Sequence, residues 1–159
     1  MDEHPAHRPN VGVVLFNREG RVWFGRRAGL TTPHAWQFPQ GGVDKDEDLE
    51  AAARRELAEE TGVTSVEPLD RTTGWILYDF PEALKAQHRS EGRKPFDGQK
   101  QVWFAFRFTG DDSEIVLDRH EIEFDAWRWG DLAEACDLII PFKRAAYEQV
   151  VAAFSKYAG

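Results

Sequence analysis

Residues 46–61 contain neither glycine nor proline and consist largely of alanine, leucine, glutamate and arginine, a composition that dictates a helix. Gly62 follows as its stop signal. At about 100° per residue, Leu49, Ala52, Ala53 and Leu57 fall on one side, predicted to be the buried one, while Ala51, Arg54 and Ala58 face away. Glu56, Glu59 and Glu60 stand at i, i+3 and i+4, so they share a face, and it is the face of Leu49, Ala52 and Ala53. Carboxylates crowded on a part-buried surface repel one another, and burying them unpaired costs several kcal/mol each. Positive charge is therefore required here. A hard divalent cation suits an all-oxygen set of this kind.

Two plainer readings compete with that one. The first is a solvated acidic helix in which Arg55 pairs with Glu59, and spacing alone leaves it open. The second is a calcium-binding EF-hand, because Asp44, Asp46 and Asp48 imitate its first three ligand positions. It fails, since the sixth and twelfth positions hold Leu49 and Arg55 where glycine and glutamate are needed.

The rest of the chain reads as strands around this helix. Residues 11–16 and 22–24 are apolar and flank the turn sequence Asn17-Arg18-Glu19-Gly20, which predicts a hairpin. Further strands are expected at 36–38, 72–80, 101–108 and 124–129, and a closing helix at 142–157 with Ala145, Ala146, Val150, Ala153 and Phe154 on one side. Residues 85–100 form a charged stretch between strands, of which 88–100, with its glycine and proline, reads as a flexible loop. The expected organisation is a flexible arm over residues 1–8 and one mixed α/β domain over 9–157. Trp103, Trp127 and Trp129 are assigned to the core, and Cys136 to a buried small hydrophobe.

Charge narrows the function classes. With 20 basic and 28 acidic residues the formal charge is −8, which argues against a DNA-coating surface, so any phosphate must be met locally. A single cysteine rules out an internal disulfide. The histidines form no pair at zinc-ligand spacing, and neither a Walker A sequence nor G-x-G-x-x-G occurs. No apolar run approaches the ~20 residues of a membrane span, so a cytoplasmic protein without a membrane partner is expected.

Gly41, Glu47 and the run Arg55-Glu56-Leu57-Ala58-Glu59-Glu60-Thr61-Gly62-Val63 fit the pattern G-x5-E-x7-R-E-U-x-E-E-x-G-U at every fixed position. The segment resembles the Nudix box. The resemblance implies an α/β/α sandwich with a catalytic loop–helix–loop that uses Mg²⁺, or Mn²⁺ in its place, for attack of water on a nucleoside diphosphate linked to another moiety. It assigns Glu56, Glu59 and Glu60 as metal-binding and catalytic carboxylates, adds Gly41 to the metal site, and gives Arg55 the task of orienting Glu59.

Outside the box, Arg8-Pro9-Asn10-Val11-Gly12, Arg26-Arg27, Trp36 to Gly42, Gly98-Gln99-Lys100-Gln101, Glu123-Phe124-Asp125 and Phe142-Lys143-Arg144 resemble the bacterial RNA pyrophosphohydrolase branch of the family. The implied activity is removal of pyrophosphate from the 5′-triphosphate end of RNA. Hydrolysis of diadenosine polyphosphates is the alternative, and a catalytically idle nucleotide-binding domain is the reading from another class. The resemblance places Arg8, Arg27, Gln40 and Lys100 on the substrate, Glu123 at the metal or the attacking water, and Ile140, Phe142 and Lys143 by the nucleobase and terminal phosphates. Adjacent strand residues face opposite ways, so only one of Arg26 and Arg27 is expected at the site. Bland alternatives are a surface charge for either arginine, a loop charge for Glu123 with Glu121 as its rival, and a core position for Phe142. The basic segment 88–100, with Arg89, Arg93, Lys94 and Lys100, reads either as a contact for the RNA beyond its first nucleotide or as a solvated loop.

Overall fold

The computed structural model describes residues 3–159. Its centre is the parallel pair β1 (His7–Phe16) and β7 (Gly98–Phe108), in register from His7 opposite Gly98 to Phe16 opposite Arg107. On one side lie β2 (Val22–Arg27) and then β3 (Trp36–Gln37), and on the other β5 (Val66–Arg71). Three short additions complete an eight-stranded mixed sheet: β4 (Gln40–Gly42) on β1, β6 (Ile76–Asp79) on β7 and β8 (Phe124–Gly130) on β2.

The unbroken apolar runs of β1 and β7 require cover on both faces, and both receive it. Helix α1 (Leu49–Thr61) buries Ala52, Ala53 and Leu57 against Val11, Val13, Leu15, Val102, Phe104 and Phe106. The opposite face packs under α3 (Ala135–Leu138) and α4 (Arg144–Phe154), with Ala135, Ala146, Tyr147, Val150 and Phe154 against Val14, Phe16, Trp103 and Ala105. The result is the expected helix–sheet–helix sandwich. Helix α1 starts where the Asp48 carboxylate accepts from the Ala51 N–H at 3.0 Å. It ends at Gly62, whose φ of 79° is left-handed and whose N–H reaches the Ala58 carbonyl. Among the described residues, no helix is long and apolar enough to cross a membrane.

Several boundaries differ from the sequence reading. The arm does not extend through Arg8: His7 and Arg8 already pair with Gly98 and Gln99, and the Asp97 N–H donates to the Ala6 carbonyl at 2.8 Å. Residues 1 and 2 of that arm lie outside the described residues. The strand expected at 72–80 is confined to β6, while β5 escaped notice because Glu67, Pro68 and Asp70 look unlike a strand. It is exposed, and its register slips between Pro68 and Asp70 as edge strands with proline do. The charged stretch 85–100 is a loop only in its middle, since helix α2 (Glu82–Ser90) precedes it and β7 begins at Gly98. The closing helix opens with a 3₁₀ turn at Pro141–Lys143. Trp103 is fully buried, whereas Trp127, Trp129 and Cys136 are half-buried at the margins of the core.

Candidate active site

Arg55 organises the carboxylates of α1. Its five N–H donors are all used: on Glu47 (2.8 and 2.9 Å), Glu56 (2.9 Å), Glu59 (3.3 Å) and the Gly42 carbonyl (2.9 Å). The pairing with Glu59 is therefore the weakest member of a larger cluster that also anchors β4 to the helix. The closeness of β4 depends on glycine, because a Cβ on Gly41 would stand 2.0 Å from Glu56 Cδ, and one on Gly42 would stand 2.8 Å from Arg8 Nη2. Those two clearances set the carboxylate cluster and Arg8 close beside the same short strand. Next to them the Gln40 N–H donates to Glu60 Oε2 at 3.1 Å.

The local electrostatics follow from this packing. Burial, reinforced by the charges of Glu56 and Glu123, pushes the Glu60 carboxyl well above the usual carboxylate range, with only the Gln40 N–H opposing. Burial also raises Glu56, against the pull of Arg55. Glu47 goes the other way: its hydrogen bonds from Arg55 and from the Asp44 N–H hold it down to about 2. Glu123 is exposed on the loop before β8, and its charge acts on Glu56, Glu60 and Lys143 from there.

Beside the carboxylates opens a cavity of about 1310 Å³. Its inner wall carries Arg8, Arg27, Gln40, Tyr78, Gln99, Ile140, Phe142 and Lys143. Lys143 is buried, with its ammonium 5.4 Å from the centre of the Tyr78 ring and 5.9 Å from that of Phe142. Burial and the neighbouring Arg27 charge bring its pKa down to about 8. The outer wall comes from α2 and the segment after it, including Phe80, His88, Arg93, Lys94 and Phe96. Five cations, Arg8, Arg27 and Lys143 within and Arg93 and Lys94 outside, with apolar and aromatic neighbours describe a site for an anion attached to something flat and part-apolar.

Residues 6–154 match the NUDIX domain. The chain belongs to the NUDIX family. A protein of Caulobacter vibrioides named RNA pyrophosphohydrolase is 64% identical over 157 residues, spanning 98% of this NUDIX chain and 90% of that protein. A Rhodospirillum rubrum protein of the same name is 50% identical, over 96% of this chain and 89% of its own. Among solved structures, the E. coli dihydroneopterin triphosphate pyrophosphohydrolase superposes with a TM-score of 0.69 at 22% identity, covering 92% of this chain and 98% of that one, which shows a shared NUDIX fold.

The NUDIX helix could hold a divalent cation through Glu56, Glu59 and Glu60, with Glu123 opposite. Among the described residues, no three carboxylate, imidazole or thiol groups already converge as a cage, since Arg55 stands between Glu56 and Glu59. The donors nevertheless fit a hard cation: they are all oxygen, and Glu60 is a buried carboxylate surrounded by like charge. Of the expected substrate residues, the structure gathers Arg8, Arg27, Gln40, Ile140, Phe142 and Lys143 at the cavity. Arg26 faces elsewhere and pairs with Asp125 at 2.9 Å, as strand alternation requires.

Lys100 is a correction. Alternation along β7 turns it to the other face, where its ammonium meets the Glu3 carbonyl and the Trp75 ring, and Gln99 takes the place at the cavity. The sequence reading also passed over Tyr78, Phe80 and Gln99. The signal for Gln99 was present, because it shares parity with Gln101 and the core residue Trp103.

Proposed function

We propose that this NUDIX domain removes pyrophosphate from the 5′-triphosphate end of RNA in the cytoplasm, leaving a 5′-monophosphate, with Mg²⁺ as its cation and Mn²⁺ as a substitute. The observation that carries this reading is the juxtaposition of the Arg55-held carboxylates with a cavity holding Arg8, Arg27 and Lys143, divided only by the glycines of β4. The 64% identity to the Caulobacter RNA pyrophosphohydrolase supports the substrate.

Glu56, Glu59, Glu60 and Glu123 would hold the cation, which when bound neutralises charge on the bridging and leaving oxygens and acidifies water. Arg8 and Arg27 grip phosphate oxygens with planar forks, and Lys143 adds a point charge from the buried side. A glutamate of α1 accepts the proton of the attacking water. The new bond forms to phosphorus as the bridging P–O bond breaks, and the cationic wall takes up the charge on the departing pyrophosphate. Arg55 keeps Glu56 and Glu59 in place through its anchors on Glu47 and Gly42. Phe142, half-buried and 5.9 Å from Tyr78 between ring centres, offers a flat apolar surface to the nucleobase.

The test is a panel of triphosphorylated RNA, diadenosine tetraphosphate, ADP-ribose and dNTPs under Mg²⁺ or Mn²⁺, with the products identified. Preferential conversion of triphosphorylated RNA to the monophosphate with release of pyrophosphate is expected. Faster turnover of diadenosine tetraphosphate would replace RNA with that substrate. Binding without hydrolysis under either cation would make the domain a nucleotide-binding module.

A further inference from the structure

A run of buried hydrogen bonds leads from the core into the cavity, and its direction is fixed at its inner end. The Trp103 indole N–H can only donate. It donates to Gln101 Oε1 at 3.0 Å, so the Gln101 amide nitrogen must face the other way. That nitrogen spends its two hydrogens on Asn10 Oδ1 (2.8 Å) and Gln40 Oε1 (3.0 Å). With its oxygen turned to Gln101, Gln40 presents its N–H donors to the cavity. Tyr78 separately donates to Gln99 Oε1, which leaves the Gln99 amide donors at the cavity. From Trp103 through Gln101 to Gln40, each step forces the next. Trp103 and Gln101 are fully buried, so water cannot break the sequence at its root.

We propose that Trp103 and Gln101 are positioning residues for substrate recognition: they fix the side-chain amide of Gln40 so that it presents N–H donors to the cavity, selecting acceptor oxygens. This rests on the cavity being the polyphosphate site. Without the relay, the Gln40 amide could turn its carbonyl toward an anion. The backbone of Gln40 would not follow, because it is held opposite Gly12 in the sheet and on Glu60 by its N–H. The relay therefore acts on binding and not on the carboxylates.

The experiment replaces Trp103 with β-(3-benzothienyl)alanine, which keeps the shape and lacks the donor, and separately makes Gln101→Met. In each, KM for triphosphorylated RNA should rise about three- to thirtyfold with kcat within about twofold, as expected when oriented neutral hydrogen bonds to substrate are lost. Inorganic triphosphate should shift the Gln40 side-chain amide resonances in the wild-type protein, and much less in the variants. A KM within twofold of wild type in the folded benzothienyl variant, with resonances responding as before, overturns the proposal and makes Trp103 a packing residue. If wild type fails to hydrolyse RNA while triphosphate still shifts those resonances in the relay-dependent manner, the relay stands and the proposed function falls.

Discussion

Glu60→Gln should make the metal-free protein more stable while abolishing turnover. Glu60 is a buried carboxylate whose ionisation is opposed by burial and by the charges of Glu56 and Glu123. Keeping such a charge buried costs several kcal/mol after relaxation. Glutamine removes that cost and retains an oxygen for the Gln40 N–H, but it buries amide donors that cost about 1–3 kcal/mol if unmet. The difference leaves a gain of about 1–2 kcal/mol at neutral pH, or about 2–8 °C in Tm for a chain of this size. The sign follows from proton binding. A carboxyl raised in the folded state holds its proton there after the unfolded chain has lost it. Wild-type stability must therefore fall as pH climbs from the ordinary glutamate value of 4.5 toward the raised one, and the variant must lack this slope. Adding Mg²⁺ should reverse the order, since ligand at about 100 Kd contributes about 2.7 kcal/mol to the protein that binds it. The assay is thermal melting from pH 4.5 to 8 with chelator or with Mg²⁺, alongside kcat, which should drop about 10²-fold or more. A variant less stable than wild type in chelator, or one stabilised equally by Mg²⁺, would refute the reasoning.

Arg27→Ala should lower kcat/KM for polyphosphates by about tenfold to a few hundredfold, the ~1.5–3 kcal/mol of a charge-assisted hydrogen bond, and an effect under about twofold would return Arg27 to an ordinary surface charge. Affinity for triphosphorylated RNA should weaken as pH rises through about 8, where Lys143 loses its charge, and Lys143→Met should remove that dependence from the KM profile. Replacing Arg89, Arg93 and Lys94 together with alanine should raise KM for triphosphorylated RNA and flatten its salt slope while sparing diadenosine tetraphosphate; equal losses on both substrates would assign these residues to the shared phosphate site.

Much of this architecture was legible because local and global signals agree. The glutamate spacing in α1, its Asp48 and Gly62 ends and the apolar runs of β1 and β7 each dictate one structure. What was missed turns on long-range pairing. β5 carries Pro68 and acidic residues because it is an exposed strand, and nothing local announces its partner. Lys100 was assigned to the substrate by its place in a motif, whereas the pleat of β7 decides which neighbour reaches the cavity. The roles of Gln101 and Trp103 depend on donor and acceptor direction across three strands, which spacing along one strand does not reveal.

The parallel pairing of β1 with β7 has a kinetic consequence. Arg8 lies opposite Gln99, about ninety residues further along the chain, and both line the cavity. The anion site is thus assembled by the long loop closure at the centre of the sheet, which must be completed before its contacts reward it. Refolding should fall in the slower range for mixed domains, and hydrolytic activity should return with the last structural phase. A partly folded or nascent chain would carry the glutamates of α1 and no means of gripping a triphosphate, so RNA ends are safe from it until the sheet has closed.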